Sequence, residues 1–124
     1  TPVNKRLNIG SLFENIPTHI AIDDIVTVSE NGSIADGGII AVDADSISAD
    51  LALSLPNSSD IGEIKIVVIA TDPAGSYDVV VTPATFNNGT TITFTDKGDA
   101  MICVWLGSAL GGWNLLSNIG GTIA

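Results

Sequence analysis

The stretch from Gly62 to Asn118 constrains the fold of this chain most strongly, because it is a succession of short segments rich in β-branched residues. Apolar and polar residues alternate within these segments, as around Ile92 and Phe94, which threonines separate and flank. Turn-forming sequences recur between them about every ten residues: Pro-Ala-Gly-Ser, Asn-Asn-Gly, Lys-Gly-Asp and Gly-Gly. This pattern predicts a β-meander within an all-β domain, folded as an antiparallel β-sandwich or a jelly-roll-like barrel.

The residues before Gly62 continue the β pattern with shorter segments. The segment 18–28 alternates on both sides of an Asp-Asp pair, which predicts one long strand with a bulge or two short strands. The leucines of segment 51–55 occupy every second position and therefore share one face of a strand. Residues 1–17 show no strong period. We therefore divide the chain into an N-terminal arm, residues 1–17, and a single all-β domain, residues 18–124.

The chain carries more apolar side chain than a small single domain needs. Hydrophobic residues make up 45% of its 124 residues and charged residues 15%, against a usual charged share of about 25%. The mean hydropathy is +0.44. The longest apolar runs are nevertheless far shorter than the roughly 20 residues of a membrane-spanning helix, so we expect no membrane partner. The surplus predicts a subunit interface or a docking face.

The chain is strongly acidic: 4 Lys and Arg against 14 Asp and Glu give a net charge of −10 at pH 7. Because such a chain repels a polyanion, we expect no nucleic-acid partner. Half of the positive charge lies in the arm, at Lys5 and Arg6, beside the apolar Leu7 and Ile9. We interpret the arm as a segment that lies on another surface; the alternative is a solvated, frayed terminus.

The residues for catalysis or metal binding are sparse. His19 is the single histidine and no Gly-x-Ser-x-Gly motif accompanies it, which argues against a hydrolase. One histidine and one cysteine cannot supply four zinc ligands without carboxylates, and Cys103 lies in an apolar segment typical of a core. The Asp-rich segment 43–50 favours a solvated turn over an EF-hand, since Ser48 and Ser54 stand where Gly and Glu are required. We expect no enzyme activity, no metal and no cofactor.

The two tryptophans have three possible roles. Trp105 lies within an apolar segment, and Trp113 follows two glycines and begins the last predicted strand. We assign both to the core or to a subunit interface, where Trp113 would cover the sheet edge of a neighbouring subunit. The alternative is an exposed tryptophan that stacks on carbohydrate.

A series of short motifs covers the second half of the chain, roughly from Ala49 to Asn118. It comprises a strand ending in Leu-Pro, then Gly-Glu-Ile-Lys-Ile, Gly-Thr-Thr-Ile-Thr-Phe, Gly-Asp, an apolar strand through Trp105, and Gly-Trp-Asn-Leu-Leu. In this series the chain resembles the β-rich modules of tailed-bacteriophage virion proteins, especially small capsid decoration (cement) proteins and fibre modules.

The resemblance to decoration proteins implies a structural function. It implies a homotrimer on the outer surface of an icosahedral capsid, bridging subunits of the major capsid protein, and synthesis in the host cytoplasm. Residues 1–10 lack the apolar region of a signal peptide, which also favours an intracellular product. In this reading Lys5, Arg6, Leu7 and Ile9 contact the shell, and Trp105 and Trp113 contact neighbouring subunits. The alternative is a phage fibre or adhesin module that binds host glycan.

Overall fold

The structure, a computed structural model, describes residues 25–124. The predicted arm, residues 1–17, and His19 lie outside the described residues. The strands are β1 Ile25–Val28, β2 Gly32–Ser33, β3 Ile39–Val42, β4 Leu51–Leu55, β5 Ile64–Ile69, β6 Val79–Pro83, β7 Ile92–Phe94, β8 Ala100–Trp105, β9 Trp113–Ile119 and β10 Thr122–Ile123. A single turn of 3₁₀-helix, Ser108–Leu110, is the only helix among them, and no helix in the described part is long and apolar enough to cross a membrane.

The strands form two five-stranded sheets of matching topology. Sheet A has the order β9-β8-β5-β3-β1, and sheet B has the order β10-β7-β6-β4-β2. In sheet A, β1, β3 and β5 are parallel, whereas β8 and β9 are antiparallel to their neighbours. Sheet B repeats this scheme, with β2, β4 and β6 parallel and β7 and β10 antiparallel. Each sheet is therefore mixed.

The first six strands wind alternately through the two sheets. The chain passes from sheet A to sheet B and back, so a strand of the opposite sheet supplies each crossover that parallel pairing requires. The all-β prediction is confirmed, but the purely antiparallel arrangement is wrong for this half of the domain. A jelly roll, which is built from antiparallel Greek keys, has no such parallel pairs. Consecutive strands pair only where the chain turns back within one sheet, as between β6 and β7 and between β8 and β9.

The core lies between the inner faces of the two sheets. Alternate residues of each strand point inward, so β4 buries the three leucines of Leu51–Leu55 and β7 buries Ile92 and Phe94. The buried hydrophobic residues are 3% exposed or less; they are Ile34, Ile40, Val42, Ala44, Leu51, Leu53, Leu55, Val67, Ile69, Val79, Val81, Ile92, Phe94, Met101, Cys103, Trp105 and Trp113. This confirms the shared face predicted for the leucines of β4 and the alternation predicted around Ile92 and Phe94 in β7.

One charged side chain, that of Lys65, points into the core from β5. It is 0% exposed, and its Nζ donates hydrogen bonds to the carbonyl oxygens of Ile34 at 2.8 Å and Ala35 at 3.0 Å, and to that of Gly37. These carbonyls belong to the connection between β2 and β3. The buried ammonium group is thus hydrogen-bonded, as burial of a charge requires, and it ties the first crossover to the middle strand of sheet A.

Two consecutive glycines allow a loop to cover the edge of β9. The backbone φ of Gly112 is 81°, and a Cβ at this position would lie 2.6 Å from the carbonyl oxygen of Thr85. The close approach lets Trp113 donate its backbone N–H to Thr85 at 2.9 Å, while Asn87 donates to the carbonyl oxygen of Trp113 at 2.8 Å. Glycine is required here because of both the positive φ and the lack of space.

Candidate interaction surface

Two neighbouring strands of sheet A, β5 and β8, carry apolar residues on both faces, with Lys65 of β5 as the exception. In β5, Val67 and Ile69 point into the core, whereas Ile64, Ile66 and Val68 occupy the alternate positions and point outward. In β8 the inward residues are Met101, Cys103 and Trp105, and the outward residues are Ala100, Ile102 and Val104. Strands with apolar residues at both inward and outward positions are typical of sheets that are covered on both sides.

The strand register aligns the outward residues of sheet A into rows. Ile25, Ile39, Ile66 and Ile102 are successive partners across β1, β3, β5 and β8, so four isoleucines form one row. We define the outer face of sheet A by this row and its neighbours: Ile25, Thr27, Ile39, Ala41, Ile64, Ile66, Val68, Ala100, Ile102, Val104, Asn114, Ser117 and Ile119. Most of these side chains are aliphatic.

The outer face of sheet A carries no charged residue. Every acidic residue in the described part lies outside the strands, and the only lysine within a strand, Lys65, points inward. Large aliphatic side chains are accessible toward the margins of the face: Ile25 is 56% exposed, Ile64 41% and Ile119 59%. Leu116, at the bulge of β9, is also exposed. The face is therefore an apolar surface framed by acidic loops.

The outer face of sheet A is one contiguous apolar patch, in contrast to the single exposed apolar residues that are normal on protein surfaces. Five strands spaced at about 4.8 Å, with four to seven residues each, give a planar footprint of roughly 24 Å by 18 Å. This footprint of about 430 Å² lies in the range of the largest apolar patch on a typical monomer, which is often functional. Since the face is mostly aliphatic and uncharged, it is suited to binding an apolar partner.

The structure places Trp105 and Trp113 in the core. They are 3% and 1% exposed, and their ring centroids lie 5.5 Å apart with the planes tilted by 60°. The indole Nε1–H of Trp113 donates to the carbonyl oxygen of Pro56 at 3.0 Å. Of the two roles assigned to them, the structure shows the core position. Neither side chain is accessible on the surface of the described domain.

The shell-docking residues predicted from the sequence, Lys5, Arg6, Leu7 and Ile9, lie outside the described residues. Their docking role stays a prediction. The outer face of sheet A does not include any of the site residues predicted from the sequence.

The remaining reactive groups form no centre. Burial raises the pKa of the Cys103 thiol from 9.0 to about 12, and its Sγ lies 3.6 Å from the carbonyl oxygen of Lys65. The thiol is therefore protonated and shielded. Asp43 accepts a hydrogen bond from the Thr71 hydroxyl at 3.0 Å, and Thr71 in turn accepts the backbone N–H of Ala44 at 2.7 Å. Within residues 25–124, no three His, Cys, Asp or Glu side chains are grouped so as to hold a metal ion.

The apolar surplus of the sequence predicts a docking face but does not locate it. The sequence signal for this face lies in Ile64–Ile69 and in Ala100–Trp105. In both segments apolar residues occupy inward and outward positions of the strand. A β-sandwich buries only one face of each strand. The apolar residues at the alternate positions of these two segments therefore mark the outer apolar face.

Comparison with protein-family models gives no match, and no curated protein shows significant sequence similarity to the chain.

Proposed function

We propose that this chain is a structural virion protein, a capsid decoration protein that binds the outside of an icosahedral phage head as a homotrimer and stabilises it by bridging shell subunits. The observation that supports a structural function is the charge-free apolar outer face of sheet A. The assignment to a virion comes from the motif series between Ala49 and Asn118, which resembles decoration proteins.

The proposed mechanism is burial of apolar surface at many equivalent sites. Each 100 Å² of apolar surface removed from water contributes about 2.5 kcal/mol before the costs of association are subtracted. A decoration protein repeats one modest contact over the whole shell, and a trimer engages several shell subunits at once, so that effective concentration adds to the affinity. The bridged subunits then resist the outward pressure of packaged DNA.

The N-terminal arm completes this proposal. In this proposal Lys5, Arg6, Leu7 and Ile9 contact the major capsid protein. The two cationic side chains suit an acidic shell surface, and the two aliphatic side chains suit an apolar groove beside it.

Co-sedimentation with undecorated heads tests the proposal. The full chain should saturate the heads at a fixed number of copies per shell, and deletion of residues 1–12 should abolish binding without changing the far-UV circular dichroism. Lys97→Ala is the matched control, because Lys97 is an exposed lysine in the loop before β8 and its loss should leave occupancy unchanged. Equal occupancy for the deletion variant and the full chain would refute the docking role of the arm.

A second candidate, a fibre or adhesin module that binds host glycan, is supported by the winding of the first six strands. Parallel strands that alternate between two sheets form coils that stack along one axis, an architecture suited to elongated proteins. In this candidate the glycan platform is a surface other than Trp113, whose ring is buried. Saturable binding to a host polysaccharide together with no binding to heads would favour the fibre module over the decoration protein.

A further inference from the structure

We infer that the outer face of sheet A is covered by the same face of further copies of this chain, and that salt strengthens this contact. The inference deepens the proposed function and rests on it for the homotrimer, since it names the surface through which the copies meet. Three observations carry it: the composition of the face, its area and the position of the acidic residues.

The composition of the face matches a second copy of itself. Rows of β-branched side chains, such as the row of Ile25, Ile39, Ile66 and Ile102, present ridges and grooves that interdigitate with those of the equivalent sheets of neighbouring copies. The few polar side chains on the face are short and uncharged: Thr27, Asn114 and Ser117. Two such faces therefore meet without burying a charge on either side.

The area of the face is adequate for a specific contact. A standard interface buries about 800 Å² of accessible surface on each partner. The planar footprint of about 430 Å² understates the accessible surface, because side chains give the face relief and exposed residues extend it at its margin. Leu116 and Ile119 belong to this margin, at 60% and 59% exposure. The footprint alone is about half of that standard area, and its relief and margin bring the contact toward it.

The acidic residues lie around the face and not on it. Asp43 directly follows β3, Glu63 directly precedes β5, and Asp72 lies three residues after β5 ends. When two copies approach, these like charges repel each other across solvent. Added salt screens that repulsion, because the Debye length falls from about 30 Å at 0.01 M to about 3 Å at 1 M ionic strength. A basic partner on this rim would show the opposite salt dependence.

The first experiment measures the native mass of the full chain and of two matched variants by native mass spectrometry and sedimentation equilibrium. Ile66 lies outward on β5, the middle strand of sheet A, and Val80 lies outward on β6, the middle strand of sheet B. Ile66→Asp should weaken association by roughly a hundredfold or more, because it buries an unpaired charge in the contact. Val80→Asp introduces the same charge into an equivalent strand and should leave the native mass unchanged.

A second pair of substitutions separates assembly from folding. The Ile66→Thr/Ile102→Thr double variant keeps β-branched side chains on both strands, so it should retain the far-UV circular dichroism of the full chain and still lose association by tenfold or more. Raising NaCl from 0.05 M to 0.5 M should tighten association of the full chain. A full chain that stays monomeric at high salt, or an Ile66→Asp variant that assembles as the full chain does, overturns the inference.

The outcomes for assembly and for head binding are distinguishable. A chain that assembles through the outer face of sheet A but never binds heads retains this inference and refutes the proposed decoration function. A chain that binds heads only as single copies retains the shell-docking function, and refutes the inference together with the homotrimer.

Discussion

Sheets A and B have the same number of strands and the same pattern of parallel and antiparallel pairs, but their outer faces differ. The outer face of sheet A is mainly isoleucine, valine and alanine. The outward residues of sheet B are mostly small or hydroxyl-bearing; they are Ser33, Ala52, Ser54, Val80, Thr82, Thr93 and Thr122. Threonine and serine on an outward strand position are compatible with solvent, whereas a row of isoleucines is not.

This difference separates what the fold requires from what the function requires. The fold requires apolar residues on the inner faces, and both sheets supply them. The outer face of sheet B shows that an outward face of this topology needs no isoleucine. The isoleucine row of sheet A is therefore an addition to the fold, and an apolar partner is the physical reason we give for it.

If the inner faces are equivalent, the largest expected effects are equal losses of stability when a buried aromatic residue is truncated in either sheet. Trp113→Ala in sheet A and Phe94→Ala in sheet B should each lower the free energy of unfolding by about 3–5 kcal/mol, since each leaves a cavity in the core. Urea denaturation followed by circular dichroism measures both. A loss below 1 kcal/mol for Trp113→Ala would contradict its core position.

The inner faces are expected to differ at Lys65, which has no charged counterpart in sheet B. Lys65→Met keeps much of the side-chain volume but removes the donor to the carbonyl oxygens of Ile34, Ala35 and Gly37, and should cost about 3 kcal/mol. Thermal denaturation measures the change. Lys97→Met, in an exposed loop, is the control and should change stability by less than about 0.5 kcal/mol.

Cys103, on the inner face of sheet A, should make the stability of the domain depend on alkaline pH. Its folded pKa, about 12, lies above its ordinary value of 9.0, so the stabilisation is complete below pH 9 and is lost as the pH rises toward 12. Linkage gives a loss of about 1.4 kcal/mol per pH unit in this window. Urea denaturation at pH 8 and pH 11 should show a smaller fall for Cys103→Ala than for the full chain. Equal falls would show that the thiol does not titrate differently on folding.

The smallest expected effects on folding are those of the outer faces. In a form of the chain that does not assemble, Ile66→Thr and Val80→Thr should each change the free energy of unfolding by less than about 1 kcal/mol, because neither residue is in the core. Denaturation at low protein concentration and low salt measures this. At high concentration only Ile66→Thr should lower the midpoint relative to the full chain, since a contact between copies stabilises by mass action.

Local features of this fold follow from the sequence, and its long-range pairing does not. The alternation around Ile92 and Phe94 predicts strand β7 and its buried side correctly, because the two-residue period is a local property. The same period is compatible with parallel and with antiparallel neighbours. The meander interpretation of residues 62–118 paired consecutive strands, whereas β5 pairs with β8 across β6 and β7, which lie in the other sheet.

The sequence predicts that an apolar surface exists but not where in the fold it lies. The apolar surplus of the chain correctly indicated more apolar surface than one core uses. Its location depends on the register that brings Ile39 beside Ile66 and Ile66 beside Ile102, and no local pattern encodes that register. The burial of Lys65 was unpredictable for the same reason, because its acceptors lie about thirty residues earlier in the chain.

The loop that covers β9 has a consequence for how copies of this chain can grow into assemblies. Residues 85–87 already occupy backbone hydrogen-bonding groups at the start of this edge strand, and a bulge between Leu115 and Ser117 interrupts its regular pleat. The adjacent edge in sheet B, β10, is two residues long. An incoming strand therefore finds no long, flat template at this end of the molecule. Stacking of faces, which closes into a finite particle, is favoured here over edge-to-edge polymerisation into fibrils.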